Sequence, residues 1–136
     1  MELSSPSPIY TALSGTREIR LLRLDRTQHL TDDIHCTLHH ANLDEDPHPT
    51  YSTLSYVWGD PTITTSITCN GKPINITANL ANALRRLRQL EPDKPTIIWA
   101  DALCINQQDI PERNHQVTIM NAIYKRHPSR RLPRRG

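Results

Sequence analysis

Apolar positions along this chain change period several times, and each change predicts an element. Glu18 to Leu24 (EIRLLRL) alternates well enough for a strand, with Ile19, Leu21 and Leu22 facing inward. Ile34 to Leu38 predicts a second, shorter strand, and the acidic, Pro-punctuated HHANLDEDPHPT from His39 to Thr50 predicts a surface loop. Tyr51 to Trp58 (YSTLSYVW) has the β-branched and aromatic content of a strand and is stopped by Gly59-Asp60-Pro61. Ile63 to Cys69 and Pro73 to Ile76 flank Asn70-Gly71, the preferred pair for a two-residue type I′ hairpin turn.

The period then becomes helical. From Ala78 to Leu90, Leu80, Ala83, Leu84, Leu87 and Leu90 fall on one face, while Arg85, Arg86, Arg88 and Gln89 cover the other. Thr77 or Asn79 can cap the start, and Pro92 limits the end. Pro95 to Ala100 is a buried strand that drops at Asp101 into a polar loop. Asp109-Ile110-Pro111-Glu112 resembles a capping-box start. The helix it opens would run to about Lys125 and bury Val117, Met120, Ile123 and Tyr124. RHPSRRLPRRG has neither period and predicts a disordered tail, and the Ser/Pro/Thr-rich residues 1–16 predict a loosely held lead-in.

A strand, a helix and a strand in this order suggest a βαβ crossover, hence an α/β fold: an open, parallel sheet with flanking helices and a β-hairpin region in its N-terminal part. At 136 residues the chain is one domain or part of one. There is no Phe and aromatics make up 4%, so the core must be Leu, Ile, Val and Ala with Trp58, Trp99 and the tyrosines as large fillers.

Charge changes the picture little. The net +2 comes from the tail: residues 125–136 hold six of the 16 basic residues and no acid, leaving ten against 14 acids, so residues 1–124 sum to −4. The apparent basicity is therefore poor evidence for nucleic-acid binding, and no specific nucleic acid is expected. The Arg-rich tail could serve as a nuclear address or touch anionic surfaces, but such a tail is more often simply solvated. Cys36, Cys69 and Cys104 are odd in number and widely spaced, which suits a reducing, cytoplasmic compartment better than a disulfide scaffold. No apolar run approaches a membrane span or a signal h-region, and Asn75-Ile76-Thr77 is a chance sequon in that setting.

The candidate chemistry gathers after two strands. Asp101, Cys104, Asn106 and Gln107 follow one, and Trp58, Gly59 and Asp60 follow the other. If those strands are parallel neighbours, both turns emerge at one sheet edge, where a crevice could bind a polar ligand. The competing reading is that Asn, Asp and Gln only satisfy loop backbone and cap the helix. Glu112 could be a catalytic carboxylate, though capping accounts for it. Cys104 and His115 could form a thiolate–imidazole pair, though a buried free Cys is common. His35, Cys36, His39 and His40 lack metal-ligand spacing, so no metal site is expected.

The blocks YSTLSYVWGDP, ITCNGKPINITANLANALRRLR and IIWADALCINQQDIPERNHQVTIMNAIY, in this order, resemble the fungal heterokaryon incompatibility (HET) domain over about Ile19 to Tyr124. WADALCINQ followed by ERNHQV carries most of the specificity. The resemblance implies a protein of fungal non-self recognition and programmed cell death, with protein partners in incompatibility signalling and self-association left open. It implies functional-surface residues among Trp58, Gly59, Asp60, Trp99, Asp101, Cys104, Asn106, Gln107, Glu112, Arg113 and Gln116, with no catalytic role assigned. HET domains are also similar to Toll/interleukin-receptor (TIR) domains, which implies a partial TIR-like sheet and, as an alternative, an NAD hydrolase for which NAD would be a substrate; no cofactor is otherwise implied.

The HET pattern normally continues after Tyr124 into an apolar strand and further helices, whereas this chain turns into KRHPSRRLPRRG. The expectation is a lead-in over 1–16, the N-terminal portion of a HET domain over 17–124 and a basic tail over 125–136. Such a truncated sheet would expose an edge and be marginally stable. It would lack the region expected to hold a TIR-like catalytic glutamate, so enzymatic activity is not expected of this chain, and an inactive fragment is one reading of it.

Overall fold

The computed structural model describes residues 9–25, 33–45, 49–55, 60–90, 96–125 and 129–131. Among the described residues, seven strands form one sheet in the order β5-β4-β2-β1-β6-β3-β7. Strand β1 (Glu18–Leu24) lies inside it, antiparallel to β2 (His35–Asn42) on one side and to β6 (Thr96–Trp99) on the other. That central place explains why β1 is buried on both faces: Arg20, Leu22 and Leu24 on one, Ile19 and Leu21 on the other. The alternation in the sequence marked only part of this, since Arg20 and Leu24 are buried as well.

Strand β2 extends beyond its apolar start. His39 to Asn42, expected in a loop, pair with residues 18–21 of β1, because a partnered backbone ladder outweighs a polar side-chain pattern. Strand β3 (Ser52–Ser55) runs parallel to β6, with Ser52 opposite Ile98 and Thr53 opposite Trp99. The two strands expected to be parallel neighbours are so.

Strands β4 (Thr64–Cys69) and β5 (Lys72–Thr77) form the expected hairpin. Asn70 and Gly71 both take positive φ, 54° and 78°, as a type I′ turn requires. Helix α1 (Ala78–Leu90) follows at once, capped by the Thr77 hydroxyl, which accepts from the Leu80 amide at 3.2 Å. Its apolar stripe of Leu80, Ala83, Leu84 and Leu87 is buried as the period predicts. Arg88, assigned to the polar face, is buried too. It lies one turn beyond Leu84, and its Nη1 donates to the Asp33 carbonyl at 3.0 Å.

The β5–α1–β6 segment is not a parallel crossover. β4 joins the sheet parallel to β2, β5 is antiparallel to β4, and β6 is antiparallel to β1, so β5 and β6 run in opposite senses on either side of β1. The parallel pair closed through α1 is β3 and β6, with the hairpin inserted between β3 and the helix.

The polar loop after β6 opens with one helical turn, α2 (Asp101–Cys104). The long C-terminal helix is split into α3 (Ile110–Thr118) and α4 (Met120–Lys125), with Ile119 at φ −104°, ψ 7° between them. The break rotates the expected core face. Ile123 is fully buried, Met120 is half-buried, and Val117 and Tyr124 are 55% and 37% exposed.

The ends also differ from expectation. Ile9 is in the core and Tyr10 packs against it, so the described part of the lead-in is held down. Within the basic stretch expected to be disordered, Ser129–Arg131 form β7, parallel to β3. The open edge of β3 offers unpaired backbone groups that an extended segment can pair with whatever its side chains.

Candidate functional site

The centre of the C-terminal block is a buried ion pair between β1 and α3. The Arg20 guanidinium grips Glu112 with both terminal nitrogens, Nη1 to Oε2 at 2.5 Å and Nη2 to Oε1 at 2.8 Å. The two side chains are 1% and 9% exposed. This fork-to-fork geometry is the strong form of the contact, and removing either partner would strand a buried charge. Arg20 also donates to the carbonyls of Thr11 (2.6 Å) and Cys104 (3.3 Å), and its guanidinium lies 4.8 Å from the Tyr10 ring centroid. One arginine thus ties together the N-terminal segment, β1, the end of α2 and α3.

Glu112 therefore does not complete a capping box. Asp109 caps α3 by accepting from the Glu112 amide at 3.1 Å, but the Glu112 carboxylate turns to the loop and accepts from the Asn106 amide at 2.7 Å. Gln116, one turn on, is fully buried and donates to the Glu18 carbonyl at 3.1 Å. Arg113 lies between them in sequence and is exposed.

The loop is braced from inside. Asn106 accepts from the Gln108 amide at 3.2 Å, and Gln107 Nε2 donates to the Asp101 carbonyl at 2.9 Å. Tyr10 donates its phenol to the Leu103 carbonyl at 2.7 Å, and burial raises its pKa above the ordinary range. Cys104 is fully buried, receives the Ala100 amide at 3.4 Å, and has its pKa pushed by burial up to about 12. His115 instead contacts the Thr16 carbonyl at 2.7 Å. No thiolate–imidazole pair forms.

Asp101 is half-buried at the start of α2, and burial raises its carboxyl above the ordinary range. Burial, and after it the Asp101 charge, raises the pKa of Tyr124, whose ring meets Trp99 edge to face at 5.5 Å. Trp99 is wholly buried and its Nε1 has no hydrogen-bond partner among the described residues. Asp60 is exposed and forms a small turn, accepting from the Thr62 hydroxyl (2.7 Å) and amide (2.8 Å), which lowers its pKa. Trp58 and Gly59 lie outside the described residues.

Above this framework is a groove of about 390 Å³. Ala102, Leu103, Asn106, Gln107 and Gln108 form one wall. The opposite wall is Pro61, Thr64, Ile74 to Thr77 and Leu80, with Ile9 and Tyr10 also lining it. The structure thus brings Asn106 and Gln107 together with the residue after Asp60. It sets Glu112 behind the wall as a brace, buries Trp99, Cys104 and Gln116 in the frame, and leaves Arg113 on the surface. Sequence reasoning missed Arg20 and Tyr10; the available signal was a charge in the middle of an apolar strand.

Among the described residues no group of three His, Cys, Asp or Glu side chains is arranged to hold a metal ion. His40 instead contacts the Thr11 hydroxyl at 3.0 Å and the Glu18 carboxylate at 3.5 Å.

A signature loop held between an internal ion pair and an open groove characterises this small mixed α/β fold. The family model for heterokaryon incompatibility protein (HET) matches residues 51–128. The chain is also similar to heterokaryon incompatibility protein 6, OR allele, of Neurospora crassa, at 38% identity over 117 residues, covering 78% of this chain. It belongs to the HET family. The aligned region makes up 17% of the Neurospora protein, so the chain spans a small part of that relative's length. No solved structure matches it.

Proposed function

We propose that this chain acts in fungal non-self recognition, as a cytoplasmic HET module that binds a protein partner and signals programmed cell death. The family membership and the name of the Neurospora relative support the biological setting. The observation that carries a binding role is the state of the signature block. Its loop residues Asn106, Gln107 and Gln108 line an open groove, while Glu112, Asp109 and Cys104 beside them are already engaged or sealed. Glu112 is held by Arg20 and the Asn106 amide, Asp109 caps α3, and the Cys104 thiol is sealed in the core. Amide side chains at the rim of an apolar groove suit a partner's backbone and one or two apolar side chains.

Asn75 is exposed and lines the groove from β5, so Asn75→Arg obstructs it without entering the core. The test expresses the 136-residue chain and this variant at equal levels in a filamentous fungus, scoring hyphal compartment death by dye uptake. The chain should kill and Asn75→Arg should not, with matching thermal melts. Absence of killing by the unaltered chain overturns the reading. Release of nicotinamide from NAD by the purified chain would replace it with an enzymatic one.

A further inference from the structure

Cys36 and Cys69 are register partners on neighbouring parallel strands, β2 and β4. Parallel neighbours lie about 4.8 Å apart, inside the roughly 4.4–6.8 Å that the Cα atoms of a disulfide span. Register partners also point to the same face of the sheet. Both cysteines are free and buried, at 3% and 0% exposure. The Cys36 thiol donates to the carbonyl of Thr68, the residue before Cys69, at 3.6 Å. The two thiols are close enough to perturb each other, so that the pKa of Cys36 is raised and that of Cys69 lowered. Cys104 is engaged elsewhere, with the backbone at Ala100 and Ile98.

The position of the pair matters more than its proximity. Among the described residues two register pairs, His35 with Thr68 and Cys36 with Cys69, join β4 to β2, continued by the Asn70 contacts to Cys36 and Leu38, whereas β2 meets β1 through seven. The β4–β5 hairpin, which forms a wall of the groove, is therefore tied to the sheet by a short seam in which the two thiols lie next to the Asn70 contacts. Such a seam is the natural place for local opening, which would let a small oxidant reach thiols that are closed off in the folded state.

We propose that Cys36 and Cys69 are a redox-sensitive pair that hydrogen peroxide converts to a disulfide, fastening the hairpin to the sheet and fixing one wall of the groove. Cys69, as thiolate, attacks one peroxide oxygen; an S–O bond forms, the O–O bond breaks, and the leaving hydroxide takes up the proton released by Cys69. The Cys36 sulfur then attacks the resulting sulfenic sulfur, forming the S–S bond, and the hydroxyl leaves as water with the Cys36 proton. The two thiols lose two electrons and two protons, and the peroxide becomes two waters. The inference does not depend on the function proposed above.

The test treats the full chain with hydrogen peroxide, blocks remaining thiols under denaturing conditions, and maps peptides by mass without reduction. The expected product is monomeric, two hydrogens lighter, with the peptides of Cys36 and Cys69 linked, Cys104 alkylated, and full reversal by dithiothreitol. Amide exchange in β4 and β5 should slow about tenfold or more on oxidation. Cys69→Ser and Cys36→Ser should each abolish the loss of two hydrogens, and the mapping on the unaltered chain stands even if a variant folds poorly. A linkage involving Cys104, a link between two chains, or over-oxidation to sulfinic acid with no intrachain bridge overturns the proposal. So does a bridge that leaves hairpin exchange unchanged.

Discussion

Arg20 sits in the middle of an apolar strand, where alternation alone would send a charge to solvent, and instead it is 1% exposed. What keeps it inside is Glu112, 92 residues away in sequence, and no local pattern reports a partner at that distance. Glu112→Gln should destabilise the chain by about 3 kcal/mol in urea melts, because it leaves a buried guanidinium without its counter-charge. Arg20→Met combined with Glu112→Leu should cost clearly less than either single change, since both desolvation penalties vanish together. Asp101 offers a pH test. Burial raises its folded pKa above the ordinary 3.8, so between those two values the folded chain binds more protons than the unfolded one. Stability then falls as pH rises through that window, and the penalty is absent below 3.8. Asp101→Asn should raise the unfolding free energy near neutral pH, leave it nearly unchanged below the window, and flatten the slope between.

At the scale of elements, agreement follows how local the controlling interactions are. Helix α1 begins and ends where its stripe, its Thr77 cap and the approach to Pro92 place it, and Asn70-Gly71 turns the hairpin as that dipeptide does elsewhere. Asn70 does more than turn. Its side chain accepts from the Leu38 amide at 2.9 Å and donates to the Ile9 carbonyl at 3.0 Å, joining the hairpin to β2 and the N-terminal segment. Asn70→Gly suits the turn at least as well, yet it should cost about 1–2 kcal/mol through those two lost contacts. Double-mutant cycles with Leu38 and Ile9 are uninformative because both partners are backbone, so denaturant melts are the measurement. The C-terminal helix was less legible. Its residues carry a usable helical period, but the helix breaks at Ile119, Val117 is left 55% exposed, and Tyr124, 37% exposed, keeps an edge-to-face contact with Trp99 of β6.

The whole molecule shows most clearly where local reading stops. The groove takes its lining from residues 9–10, 61–80 and 102–108, three stretches that meet only because β4 and β5 join the sheet beyond β2. Tyr10 closes that arrangement with its phenol on the Leu103 carbonyl, so Tyr10→Phe should cost about 1 kcal/mol. Amide exchange over Asp101–Ile105 should rise in that variant while exchange in α1 stays the same, a comparison that separates loss of this contact from general loosening.

The residues themselves determined the strands and helix with short-range signals, the type I′ turn, and the marker block from Trp99 to Gln107 that identifies the family. Periodicity and turn chemistry act over a few neighbours, and a signature is a property of order and spacing alone. Tertiary structure decided that β5 and β6 run in opposite senses, that β2 extends through His39 to Asn42, and that Ser129–Arg131 pair with β3. It also decided that the carboxylate of Glu112, which sequence left between cap and catalyst, braces the wall of a groove. Those outcomes depend on which backbone edges and buried charges find partners far along the chain, and a one-dimensional pattern does not contain that choice.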